Sequence, residues 1–187
     1  DRSKLIYLTT KVRYYQKSYE SALWRLFSVG ETILQPYVAQ LLKIDLSKED
    51  FNKEIFNKKL KEQKYWDRLI TIGLTPKKFK KGKKTVEEFM PGFFLFEKMR
   101  KARLLNIPEG KSDNINNIMK ILEKLRQHRN DTAHHGLMMA PAKFEKIVSP
   151  NEKPSLFELL DRHYEVAGFE IFKEIQKEIS NELDKAI

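Results

Sequence analysis

The sequence predicts an all-α protein, an antiparallel bundle of about five to seven helices built as one domain over residues 1–187. Three observations carry that reading. Apolar residues recur at spacings of three and four along most of the chain. Capping boxes, together with Gly and Pro punctuation, cut those stripes into helix-sized pieces. No segment shows convincing strand alternation, an internal repeat or an interdomain linker.

The first element is a long amphipathic helix. Val12, Tyr15, Tyr19, Ala22, Leu26, Val29 and Ile33 form its stripe, and Leu23, Phe27 and Leu34 widen it. It is expected to bend or end near Pro36, with 38–44 continuing as helix. Ser47 with Asp50 reads as the next N-terminus, opening a charged helix that runs to about Ile72, where Gly73 and Pro76 stop it. Residues 77–84 read Lys-Lys-Phe-Lys-Lys-Gly-Lys-Lys, and self-repulsion with Gly82 predicts an exposed loop. Thr85 and Glu88 have the spacing of a capping box for a short helix broken by Pro91-Gly92. Phe93, Phe94, Leu95, Phe96 and Met99 then give a helix apolar nearly all round, closed by 107–110. Ser112 or Asp113 caps a helix whose core face is Ile115, Ile118, Met119, Leu122 and Leu125. Gly136 suits its C-terminal end, and Pro141 forbids much continuation. After a turn at 151–154, Ser155 and Glu158 form another capping box. The terminal helix buries Ile171, Phe172, Ile175, Ile179 and Leu183.

Composition narrows the function. Thirty-six basic side chains face 26 acidic ones, a net charge of +10. That favours a polyanionic partner, nucleic acid first and an anionic membrane surface second. With no cysteine there is no disulfide framework and no thiol chemistry, which suits the cytoplasm. No apolar run reaches the length of a membrane span, and the N-terminus has no signal-peptide pattern. The chain begins at Asp1, as a domain cut from a longer protein would, and as a processed chain would equally. Four histidines without cysteine, and without a His-Glu-x-x-His pattern, give no recognisable zinc spacing. No Gly-rich phosphate loop is present, so no metal or nucleotide cofactor is expected.

The six residues Arg129-Asn130-Asp131-Thr132-Ala133-His134 carry the chemistry. A guanidinium holds a phosphate through paired donors, and an imidazole moves protons near neutral pH. A bare Arg-x4-6-His match is weak. A polar residue directly after the arginine, at a helix end and inside a basic helical chain, makes it more specific. Asn130 and His134 share a helix face with Arg126. Arg129 and His134 are five apart, about 140° around a regular helix. They can converge on one phosphate if the helix distorts near its end, or if a symmetry-related copy supplies the second half. His135 is a spare or structural donor. His128 reads as solvent-facing or ion-paired, and His163 sits in a surface-like Asp161-Arg162-His163 stretch.

This motif resembles the Arg-polar-x3-His signature of HEPN ribonucleases, helical bundles that dimerise around it. The tyrosine-rich opening helix, the basic middle and the length resemble more particularly the C-terminal HEPN domain of CRISPR type III-A accessory ribonucleases. Those proteins carry an N-terminal CARF domain that senses cyclic oligoadenylate, and nothing in this chain looks like that sensor. The resemblance implies that His134 transfers protons, Arg129 clamps the phosphate and Asn130 orients both. It implies a homodimer acting on single-stranded RNA without a metal, through 2′-hydroxyl attack. It also implies control by cyclic oligoadenylate through a domain absent from this chain. Arg126, Lys77, Lys78, Lys80 and Lys81 are the candidate RNA contacts, acting through phosphates. The alternatives are a HEPN toxin held by an antitoxin, and a catalytically silent helical module that binds RNA or a protein.

Overall fold

The computed structural model describes residues 2–48, 51–82, 84–135, 140–149 and 154–166, and for 127–135 the backbone alone. The all-α expectation is borne out. About two-thirds of the chain is helical, in eight helices with a single two-stranded sheet among the described residues. They are α1 (Arg2–Tyr15), α2 (Tyr19–Leu42), α3 (Lys53–Glu62), α4 (Trp66–Thr71), β1 (Lys77–Lys81), β2 (Lys84–Glu88), α5 (Phe93–Lys101), α6 (Glu109–His135), α7 (Pro141–Val148) and α8 (Leu156–Tyr164).

Helix α2 is the central element and packs against α1, α5 and α6, while α6 also meets α7 and α8. Leu26, Val29, Leu34 and Val38 of α2 and Ile115, Ile118, Met119, Leu122 and Leu125 of α6 are wholly buried. That is the face the spacing predicts for α6. Gly30 lets the helices approach. A Cβ built there would stand 2.6 Å from Leu122 Cδ1 and 2.7 Å from Phe93 Cε2, inside van der Waals contact.

Several boundaries differ from expectation, each for a local reason. The opening helix breaks at 16–18 and not at Pro36, because Lys17 takes the left-handed conformation at φ 57°. Pro36 lies inside α2 at an exposed position, and it costs the helix the amide donor to the Thr32 carbonyl without ending it. Ser47 is used in a turn, its hydroxyl donating to Asp45 at 2.6 Å. The next helix starts at the Asn52 cap, which accepts from the Ile55 amide at 2.9 Å. That helix breaks again at Lys64, giving α3 and α4. Helix α6 begins at Glu109, directly after Pro108 and ahead of Ser112. Pro141 opens α7. The Ser155–Glu158 capping box forms as expected. The anticipated helix end at Gly136 and the terminal stripe from Ile171 to Leu183 lie outside the described residues.

Six of the helix ends share one chemistry. The amides of Ser18, Ile44, Tyr65, Leu74, Leu104 and Val166 each donate to the carbonyl five residues earlier. The preceding residue is left-handed in every case: Lys17, Lys43, Lys64, Gly73, Arg103 and Glu165. These are the closures that glycine usually serves, and here glycine serves one of them. The cations also complement the negative end of the helix dipole.

The expected loop at 77–84 and the short helix after it are a β-hairpin. Its register pairs Lys77 with Glu88, Lys78 with Glu87 and Phe79 with Val86. Gly82 turns the corner at φ 61°. Cross-strand carboxylates relieve the repulsion that argued for a loop, with Lys78 reaching Glu87 at 3.6 Å. The hairpin is anchored to α3 by Lys53, which pairs with Glu88 at 2.6 Å and lies 4.4 Å from the Phe79 ring centre.

Where α1 and α2 meet α7 and α8, buried and partly buried polar groups are matched. Lys11 is 3% exposed and bonds both oxygens of Asp161, at 2.8 and 2.7 Å. Asp161 also accepts from the hydroxyl of the fully buried Tyr7. Tyr7 stacks on Tyr164 at 5.1 Å. Tyr19 donates to Glu145 at 2.8 Å, and so does Tyr14. These contacts tie α1 and α2 to α7 and α8.

Candidate functional site

Helix α6 presents the motif. Among the residues whose side chains are described, its buried stripe reaches Leu125, and the strongly polar sequence from Arg126 to His135 continues on helical backbone. Arg129, Asn130 and His134 therefore lie in its last two turns. Their side chains, and those of His128 and His135, lie outside the described residues. In the helix register Arg126, Asn130 and His134 follow one another along one face. Arg129 and His134 stand about 140° apart on that unbroken helix.

Arg126 is the last motif-face residue whose side chain is described. Its Nε bonds Glu123 at 2.9 Å, and its guanidinium lies 5.9 Å from the Phe94 ring centre. It lines a cleft of about 660 Å³ whose wall is the α2 face carrying Trp24, Arg25, Ser28 and Glu31. Met90, Gly92 and Phe94 also line it, with Lys77 of β1. Local structure places these groups. Asn57, 5% exposed, clamps the Phe89 backbone in both directions at 2.8 Å. Trp66 packs edge-on against Phe89 at 4.8 Å. The chain then passes Met90-Pro91 to Gly92, whose φ of 157° starts α5. The Phe93 amide donates to Glu31; burial nonetheless pushes the Glu31 carboxyl above its ordinary range.

A second cleft of about 380 Å³ adjoins the first and shares Lys77, Met90, Phe94 and Leu95 with it. Phe94 is the most exposed of the shared apolar residues. It is 54% exposed, in a segment expected to be buried nearly all round, while Phe93, Leu95 and Phe96 are buried. Met90 and Trp24 are also exposed.

Of the expected RNA contacts, the structure brings Arg126 and Lys77 to one cleft. Lys78, Lys80 and Lys81 are exposed on the hairpin, and none lines either cleft. The sequence reading missed Trp24, Arg25, Met90 and Phe94. The available signal was an aromatic–arginine pair, Trp24-Arg25, lying off the apolar stripe of α2. His163 corrects another expectation. It is partly buried, packs edge-on against Tyr164 at 4.8 Å, and has its pKa lowered by burial and then by Lys111.

Among the described residues no group of three or more His, Asp or Glu side chains could hold a metal ion. No helix among them is long and apolar enough to cross a membrane. Comparison with protein-family models, with curated proteins and with solved structures gives no match to this chain.

Proposed function

We propose that the chain is a metal-independent endoribonuclease of the HEPN type that cleaves single-stranded RNA. The observation that carries the reading is the Arg129–His134 motif at the end of α6, one turn beyond an arginine that opens on a basic, aromatic-lined cleft. The ribose 2′-oxygen loses its proton and attacks the adjacent phosphorus. The bond to the 5′-oxygen breaks, that oxygen gains a proton, and a 2′,3′-cyclic phosphate and a 5′-hydroxyl remain. His134 moves the protons, Arg129 holds the phosphate oxygens as charge builds, and Asn130 orients the pair.

The unbroken helical backbone through 129–134 supports a composite site in which two copies of the chain meet at their motifs. The resemblance places such an enzyme in the cytoplasm, in CRISPR type III antiviral defence. There a sensor domain on a longer protein answers to cyclic oligoadenylate and biases the dimer geometry.

The test is incubation with end-labelled single-stranded RNA, with and without EDTA. His134→Ala and Arg129→Ala should each slow cleavage by at least about 100-fold without loss of folding. Cleavage should survive chelation, should stop when the scissile ribose is 2′-deoxy, and should fall on dilution as dimers part. Near-wild-type cleavage by His134→Ala removes the catalytic reading. Binding without any cleavage by the wild type identifies a silent binding module.

A further inference from the structure

We propose that the two clefts flanking Phe94 form a stacking grip for two successive unpaired nucleotides of an RNA strand. This deepens the ribonuclease reading, on which it rests for the identity of the strand.

The first argument is exposure. Phe94 stands 54% exposed, with Met90 at 44% and Ile72 at 40% beside it. Keeping apolar surface in water forgoes about 25 cal/mol for each Å². Clustered exposure of this kind marks a surface that another molecule covers. The second argument is charge. Lys98 Nζ lies 5.7 Å from the Phe94 ring centre and the Arg126 guanidinium 5.9 Å; Arg25 and Arg126 line the larger cleft, Lys98 the smaller, and Lys77 both. Among the described residues lining the two clefts, Glu31 is the one carboxylate, and it is turned to the start of α5 by its bond from the Phe93 amide. An apolar protein partner selects an interface centre depleted of charge. A polyanion with flat aromatic faces selects a ring ringed by cations, and single-stranded nucleic acid is that polyanion.

The third argument is shape. Volumes of about 660 and 380 Å³ adjoin and share Phe94, both within the range of about 300–1,000 Å³ that small-ligand sites occupy. A base on each side of the ring leaves the connecting phosphate near Lys77, which lines both spaces. A duplex cannot enter this way, because its base faces are already covered. The fourth argument is position. From Arg126 the α6 register reaches Asn130 after about 6 Å and His134 after about 12 Å. A stacked strand rises about 3.4 Å per nucleotide. The grip therefore holds RNA a few nucleotides from the phosphate that the motif would attack.

Binding of a fluorescein-labelled, ten-nucleotide 2′-O-methyl RNA, which lacks the attacking hydroxyl, tests the grip by anisotropy over a salt series. Phe94→Ala should weaken binding by about 10-fold. Phe94→Leu should be equally weak, Phe94→Tyr should bind like the wild type, and all three should keep the wild-type melting temperature because the side chain is exposed. Arg25→Gln with Lys77→Gln should flatten the salt dependence. Wild-type affinity in Phe94→Ala, recovery in Phe94→Leu, effective competition by the matching duplex, or no binding by the wild type would each overturn the proposal. If Phe94 governs binding while no cleavage is found, the ribonuclease reading fails and the grip stands. If His134-dependent cleavage is found and Phe94→Ala binds and cleaves normally, the grip fails alone.

Discussion

Two regions of this bundle treat polar and apolar groups in opposite ways. Around α1, α7 and α8, tyrosines and a lysine are wholly or partly withdrawn from water and given carboxylate partners: Lys11 and Tyr7 meet at Asp161, and Tyr14 and Tyr19 at Glu145. Around the hairpin and the start of α5, an aromatic ring is left in water among cations. The first pattern is what a fold does to survive burial of charge. The second leaves apolar surface exposed, the surface that the proposed RNA strand would cover. Perturbed groups therefore do not by themselves mark the site here. Tyr7 and Tyr14 are the most strongly shifted, both upward through burial first and then through their bonds to Asp161 and Glu145.

The contrast breaks hardest at Asp161. Asp161→Ala leaves the Lys11 ammonium buried without its carboxylate and should cost about 3 kcal/mol in urea unfolding, with RNA affinity unchanged. The mirror experiment is Arg25→Gln in the cleft, where stability should stay within about 0.5 kcal/mol. A large loss there would mean that the cleft cations hold the fold. A smaller effect distinguishes the two regions by pH. The folded-state pKa of His163 lies below its ordinary 6.5, so the unfolded chain binds the extra proton first. His163 therefore favours folding above about pH 6.5, and that contribution is lost as acidification carries the solution down through the folded value. His163→Gln should show a shallower loss of melting temperature between pH 7 and pH 5 than the wild type. An identical pH profile would show that other groups set the acid limit.

The smallest effect concerns what was legible in the sequence. The helical class, the α6 core face and the Ser155 capping box were readable because spacing and cap chemistry are local signals. The breaks at Lys17 and Lys64 were not, because the chain closes those helices on left-handed lysines where a reader looks for glycine. A fainter signal was present: in most of these closures a charged residue is followed by an apolar one that folds back, as in Lys43-Ile44, Lys64-Tyr65 and Arg103-Leu104. Lys64→Gly should relieve the strained backbone and raise stability by about 0.5 kcal/mol, less than the full strain because glycine also frees the unfolded chain. The hairpin was missed because its lysines were weighed against one another, while Glu87 and Glu88, which neutralise part of them, lie across a turn that only the fold closes. At the candidate site, the motif was legible as six contiguous residues. The cleft was not, since Trp24, Lys77, Phe94 and Arg126 come from four elements.

Gly30 links these observations to inheritance. The space that a side chain at position 30 would need is already filled by Leu122 of α6 and Phe93 of α5, the residue next to the exposed ring. Alanine there gains about 1 kcal/mol of helix propensity and forces overpacking worth about 1–3 kcal/mol, so the single change loses. Positions 30, 93 and 122 thus form a closed volume in which one residue can grow only as another shrinks. In diverging copies of this protein these three positions should drift together or not at all, and the spacing between the motif-bearing helix and the cleft should be inherited with them.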